Sequence, residues 1–148
     1  MTQMKNEMEI KPFQPQTIKK VWGDEIIIAN DQYCGKILVL KMNYRCSVHM
    51  HKMKTETFYF MEGLCLFEWC KANRNNEDNI VHKYIMPVGS CITLEPRVMH
   101  RFSGIAQVTK ILEVSTKDLP EDSYRNTQSE YVDGGSVKWS KNKIWQFQ

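Results

Sequence analysis

No stretch of this chain stays apolar long enough to cross a membrane. The longest apolar runs, such as residues 37–40, are a small fraction of the ~20 residues that a helical span needs. Residues 1–11 are polar and charged and lack the apolar centre of a secretory signal, so a cytoplasmic location is the default expectation. No Lys/Arg run exceeds a pair and the net charge is only +3, which makes nucleic acid a poor partner, although the mild basic excess suits a small anionic ligand. The five cysteines, Cys34, Cys46, Cys65, Cys70 and Cys91, are odd in number and form no Cys-x-x-Cys pair, so they read as buried or half-buried thiols in a reducing compartment. Internal repeats and low-complexity segments are absent, and no segment before residue 116 shows a helical period.

What is present is one domain's worth of chain, 148 residues with 42% hydrophobic and 25% charged side chains, enough for a hydrophobic core without staples. Residues 1–20, with Pro12 and Pro15, read as an arm. Short runs rich in Ile, Val, Phe, Tyr and Thr then alternate with turn signals. Strands are expected at 25–29, 36–42, 57–61, 64–69, 81–86, 91–94, 100–102 and 108–115, with a polar connection at 71–79. Many short strands at regular spacing predict an all-β sandwich or barrel over residues 21–116. Beyond it, 117–148 reads as an extension with a helical turn within 118–131 and a last strand or docking tail at 137–147.

The chemistry concentrates in residues 47–56. His49 and His51, two apart on a strand, point to one face with their Cα atoms roughly 6.5 Å apart. Two imidazoles converge from that spacing on one ion at about 2.1 Å from each nitrogen. A tight turn at 52–55 returns Glu56 from the next strand, giving a two-His, one-carboxylate face with open positions. His100, which opens a strand after the Pro96 turn, is the natural fourth ligand. Nitrogen and oxygen donors without thiolate suit Mn, Fe, Co, Ni or Zn. His82 has no partner pattern and reads as a surface or structural residue.

These residues resemble the cupin superfamily, small β-barrels of the jelly-roll type. The first cupin motif, G-x5-H-x-H-x3-4-E-x6-G, is matched by Asn43, His49, His51, Glu56 and Gly63, with asparagine in place of the first glycine. The second, G-x5-P-x-G-x2-H-x3-N, is matched at Gly89 and His100. Its proline falls one place later at Pro96, Arg97 stands for the glycine and Gly104 for the asparagine. Flanking phrases at 21–25, 33–36, 112–116 and 122–125 look most like the sugar-isomerase-like cupins related to single-domain mannose-6-phosphate isomerases.

That resemblance implies a sugar or sugar phosphate bound over the metal and isomerised or epimerised through a metal-stabilised enediol. Glu113 and Lys41 are the candidates for moving the proton. Lys36, Lys41 and Arg101 are candidate anion holders, although Arg101 follows His100 directly and on a regular strand faces the other way. Tyr44 and Phe58 are aromatic neighbours, and Phe58 shares the parity of Glu56. Two other readings keep the ion. One is an Fe-dependent dioxygenase and the other a non-catalytic, metal-containing sugar-binding module; the want of a helix-turn-helix speaks against a regulator. The arm and the segment 139–147 make a homodimer an expectation.

Overall fold

Alternation of buried and exposed side chains shapes each long strand of the computed structural model, which describes residues 8–71 and 80–132. In Tyr33–Lys41, the third strand, Cys34, Lys36, Leu38 and Leu40 face inward while Gly35, Ile37 and Val39 face outward. Six strands form one antiparallel sheet: β1 (Gln16–Lys20), β2 (Gly23–Asn30), β3 (Tyr33–Lys41), β11 (Val108–Thr116), β6 (Glu56–Glu62) and β9 (Cys91–Leu94), in that spatial order. In the second sheet β8 (His82–Met86) pairs with β7 (Cys65–Lys71), and β7 with β10 (Val98–Gly104). The other edge of β10 meets two short strands, β4 (Tyr44–Arg45) and β5 (His49–Met50). Outside these lie β12 (Tyr124–Arg125) on β5 and β13 (Glu130–Tyr131) on β4.

All eight strands expected from the sequence are present, shifted by a few residues at their ends. The difference lies at the start. Gln16–Lys20, within the segment read as an arm, is a strand that pairs with β2. The turn expected after residue 117 is a single 3-10 turn, Pro120–Asp122. The connection at 72–79 and the segment 137–147 lie outside the described residues. Among the described residues no helix is long and apolar enough to cross a membrane.

The inward faces of the two sheets interdigitate as Trp22, Leu38, Leu40, Phe58, Phe60, Phe67, Phe102 and Ile111. Trp22 meets Phe102 edge to face at 5.6 Å. The core fills one end of the interior. At the other end the same inward positions carry polar groups, and the register says which. Lys36 lies across from Glu113, and Glu113 across from Phe58; Cys34 lies across from Ser115, and Ser115 across from Glu56. Asn43 and Arg97, the two residues standing where the motifs have glycine, both take positive φ, +66° and +70°. Asparagine tolerates that region, whereas arginine adopts it against a local cost.

Candidate metal centre

Register brings the histidines together. His49 is the direct cross-strand partner of His100, and His51 follows His49 by two on the same face. The imidazole centroids lie 4.3 Å (His49–His100), 5.3 Å (His49–His51) and 6.0 Å (His51–His100) apart. One ring nitrogen of each lies within 4.8 Å of the others, so small side-chain rotations suffice to gather them on one ion.

The backbone fixes which nitrogen faces inward. Nδ1 of His49 sits 2.8 Å from the Ser47 carbonyl, Nδ1 of His51 2.9 Å from that of Asp122, and Nδ1 of His100 3.0 Å from that of Val98. A carbonyl only accepts, so each Nδ1 carries the proton and each Nε2 keeps its lone pair free, the arrangement metal-ligating histidines need. Burial pushes His49 well below its ordinary value, with His100 and His51 adding to it, and burial likewise lowers His51, so both rings are held neutral.

Glu56 is 2% exposed and enters from the neighbouring strand. Its Oε1 lies 3.0 Å from His100 Nε2 and 3.8 Å from His51 Nε2. With the His100 proton on Nδ1, two acceptors face each other across that 3.0 Å contact, and His100 Nε2 is buried without a hydrogen-bond partner. A buried lone pair aimed at a carboxylate, with two more imidazole nitrogens beside it, is a donor set that fits a divalent transition metal. The structure thus brings together the three histidines, whose ring nitrogens lie within 4.8 Å of one another, and sets Glu56 beside His51 and His100.

A buried charge cluster adjoins them. Lys54 Nζ lies 2.8 Å from Glu113 Oε2, 3.1 Å from Asp118 Oδ1 and 3.4 Å from Glu56 Oε2. Lys36 Nζ lies 2.6 Å from Asp118 Oδ2 and 3.1 Å from Glu25 Oε1. Burial works against the Lys54 ammonium, but Glu113, Glu56 and Asp118 outweigh it and raise it above its ordinary value. Glu113 moves the other way from what one lysine partner would give. Burial and the nearby Glu56 carboxylate outweigh Lys54 and Lys36, and its carboxyl is raised. The two directions agree physically, because Lys54 enjoys three carboxylates while Glu113 shares its lysine with two rivals.

His49, His51 and the charge cluster open into one cavity of about 1020 Å³, lined also by Phe58, Lys20 and Arg125, while His100 and Glu56 lie buried behind it. Three residues proposed from the sequence do not reach it. Lys41 is exposed, with its ammonium 4.2 Å above the Tyr44 ring, and Tyr44 packs on Tyr131 at 5.2 Å. Arg101 does face away from His100 but is not a surface cation. It is 6% exposed and paired with Glu68 at 2.8 Å, because the outer side of β10 is also covered. His82 is exposed and stacks on Trp69 at 4.2 Å. Lys54, Asp118 and Asp122 were missed. Lys54 lies in the turn before β6, where strand parity gives no signal of its inward position.

Comparison with known proteins supports this architecture. A scan against protein-family models finds no match, and no curated protein matches significantly. Among solved structures, the capsular polysaccharide assembling protein CapF of Staphylococcus aureus superposes with a TM-score of 0.66 at 13% identity, over 77% of this chain and 32% of its own. The oxalate decarboxylase of Lactobacillus farciminis, in a formate complex, gives 0.64 at 13% identity over 81% and 38%. The hydroxypropylphosphonic acid epoxidase of S. wedmorenis gives 0.54 at 14% over 72% and 58%. The chain thus spans about a third of the length of the first two. At such identities the likeness shows the fold, a cupin-type jelly roll.

Proposed function

We propose that this chain isomerises or epimerises a sugar or sugar phosphate, with a divalent metal held by His49, His51, Glu56 and His100. The observation that carries the reading is Glu113, a buried carboxyl held above its ordinary value in the same cavity as the His49 and His51 imidazoles. Such a carboxyl is suited to take a proton from one carbon of a bound sugar and return it to the next. When bound, the ion would supply Lewis acidity to the substrate's carbonyl and hydroxyl oxygens. Lys54, 2.8 Å from Glu113, orients the carboxyl and offsets its charge after the proton is returned. Phe58 forms an apolar wall beside them.

The oxygenase and the non-catalytic readings need the same ion but give Glu113 and Lys54 no work. The test is to load the protein with Mn²⁺, Fe²⁺, Co²⁺, Ni²⁺ or Zn²⁺ and incubate it in D₂O with a panel of aldoses and aldose phosphates. Deuterium entering at C1 of the ketose or at C2 of the epimer is expected, and Glu113→Gln should abolish it. Full metal occupancy with neither exchange nor conversion, or oxygen uptake in its place, refutes the assignment.

A further inference from the structure

Cations and carboxylates in the cavity match one another with one exception. Lys19 pairs with Asp24 at 2.8 Å and Lys20 with Glu25 at 3.7 Å. Lys36 and Lys54 are held by Glu25, Asp118, Glu113 and Glu56. Arg125 lines the same cavity, and among the described residues its guanidinium has no ion pair and no hydrogen bond.

Its position is set by the metal-site strands. Arg125 on β12 is the direct partner of His49 on β5, which is the direct partner of His100 on β10. Directly opposed residues share a face, so the three side chains form one row across three strands, with neighbouring Cα atoms about 4.5–5.5 Å apart. The segment bearing Arg125 is pinned along the ligand strand. Asn126 N–H donates to the Val48 carbonyl at 2.8 Å, Val48 N–H to Thr127 Oγ1 at 2.9 Å, and Ser47 N–H to Ser129 Oγ at 3.2 Å. Upstream, the Asp122 carboxylate accepts from the N–H groups of Lys52 at 2.9 Å and Met53 at 3.1 Å. The base of Arg125 is thus fixed while its charged head, on an exposed residue lining the cavity, stands unmatched among the described residues. The Thr127 hydroxyl accepts from Val48 and keeps its own proton to donate into the same space.

We propose that Arg125 is the subsite for an oxyanion, a phosphate or a carboxylate, carried by the substrate at the end remote from the metal ligands. The guanidinium fork matches either group in a bidentate pair. The inference rests on the reading above, in which the ligand lies over the histidines, and it narrows the substrate to an anionic sugar derivative.

Calorimetry on the metal-loaded protein and on Arg125→Gln tests it with inorganic phosphate and three non-reacting polyols of one carbon frame: glucitol, glucitol 6-phosphate and gluconate. The expected result is that one or both charged polyols bind at least about 10-fold more tightly than glucitol. Arg125→Gln should then remove roughly 10- to 100-fold of that affinity while glucitol and metal binding stay unchanged. Which charged polyol is preferred identifies phosphate or carboxylate as the natural group. Equal affinities for all three polyols in the parent protein, or no loss in Arg125→Gln, overturns the proposal. If no polyol binds but inorganic phosphate does, and Arg125→Gln loses it, the oxyanion subsite stands and the sugar reading fails.

Discussion

Replacing Lys54 by Met keeps the length and most of the volume of the side chain but removes the one cation shared by Glu56, Glu113 and Asp118. The three contacts, at 2.8, 3.1 and 3.4 Å, are all to a lysine that is 3% exposed, so solvent screening does little to weaken them. Asp118 keeps Lys36 at 2.6 Å; Glu56 and Glu113 are left buried without a cation in direct contact. Breaking a buried pair by deleting one partner costs about 3–5 kcal/mol. Here the lower end applies, because Glu113 is already raised and escapes part of the cost by taking up a proton. We therefore expect Lys54→Met to lose about 3 kcal/mol in urea unfolding of metal-free protein at neutral pH. With metal bound, the ion takes over the Glu56 charge and the loss should fall by about 1 kcal/mol or more. A loss under about 1 kcal/mol without metal, or the same loss with and without it, would refute the reasoning.

His100→Ala should weaken metal affinity by a factor on the order of 100 or more in competition with a chelator, and an unchanged affinity would remove His100 from the donor set. Asp118 is lowered because its hydrogen bond to Lys36 and the Lys54 charge outweigh burial. A depressed carboxylate stabilises the fold above its unfolded pKa and loses that contribution as pH falls through the folded value. Asp118→Asn should therefore be less stable at neutral pH and should flatten the acid limb below about pH 4, as followed by thermal unfolding. Glu113 has the opposite sign: its raised carboxyl costs stability at neutral pH, so Glu113→Gln should raise Tm there while abolishing turnover. Arg97→Gly relieves a left-handed residue worth about 1–2 kcal/mol against a glycine entropy cost of about 0.5–1 kcal/mol, for a net gain near 0.5 kcal/mol. A lower Tm for that variant would show that the arginine side chain itself contributes.

Much of the six-stranded sheet was legible because its strands are long enough for alternation to register. Val108–Thr116 buries Thr109, Ile111 and Glu113 and turns Val108, Lys110, Leu112 and Val114 outward. The two-residue strands β4, β5, β12 and β13 carry no period that a pattern can detect. Gln16–Lys20 offers a single apolar residue, Ile18, and is recognisable as a strand only through its pairing with β2. The candidate metal ligands were legible for a local reason, since two histidines spaced by two and one tight turn bring three of them together. The charge cluster was not, because Asp118 comes from the far end of the sequence and reaches Lys36 and Lys54 across 82 and 64 residues. Arg101, Lys41 and Tyr44 misled because sequence proximity to a ligand says nothing of which sheet face is covered.

The motif departures show what holds the ligands. Asn43 and Arg97 replace glycines yet keep the positive φ that glycine would take. The turn before β10 is anchored by a contact that asks nothing of the side chain: Arg97 N–H donates to the His51 carbonyl at 2.6 Å. One ligand's backbone therefore seats the loop that leads to another, and His49 opposite His100 completes the link through strand register. The candidate donor set is positioned by main-chain hydrogen bonds on both sides, which explains how the four side chains stay together although the loop before His100 departs from the cupin motif at its proline and its glycine.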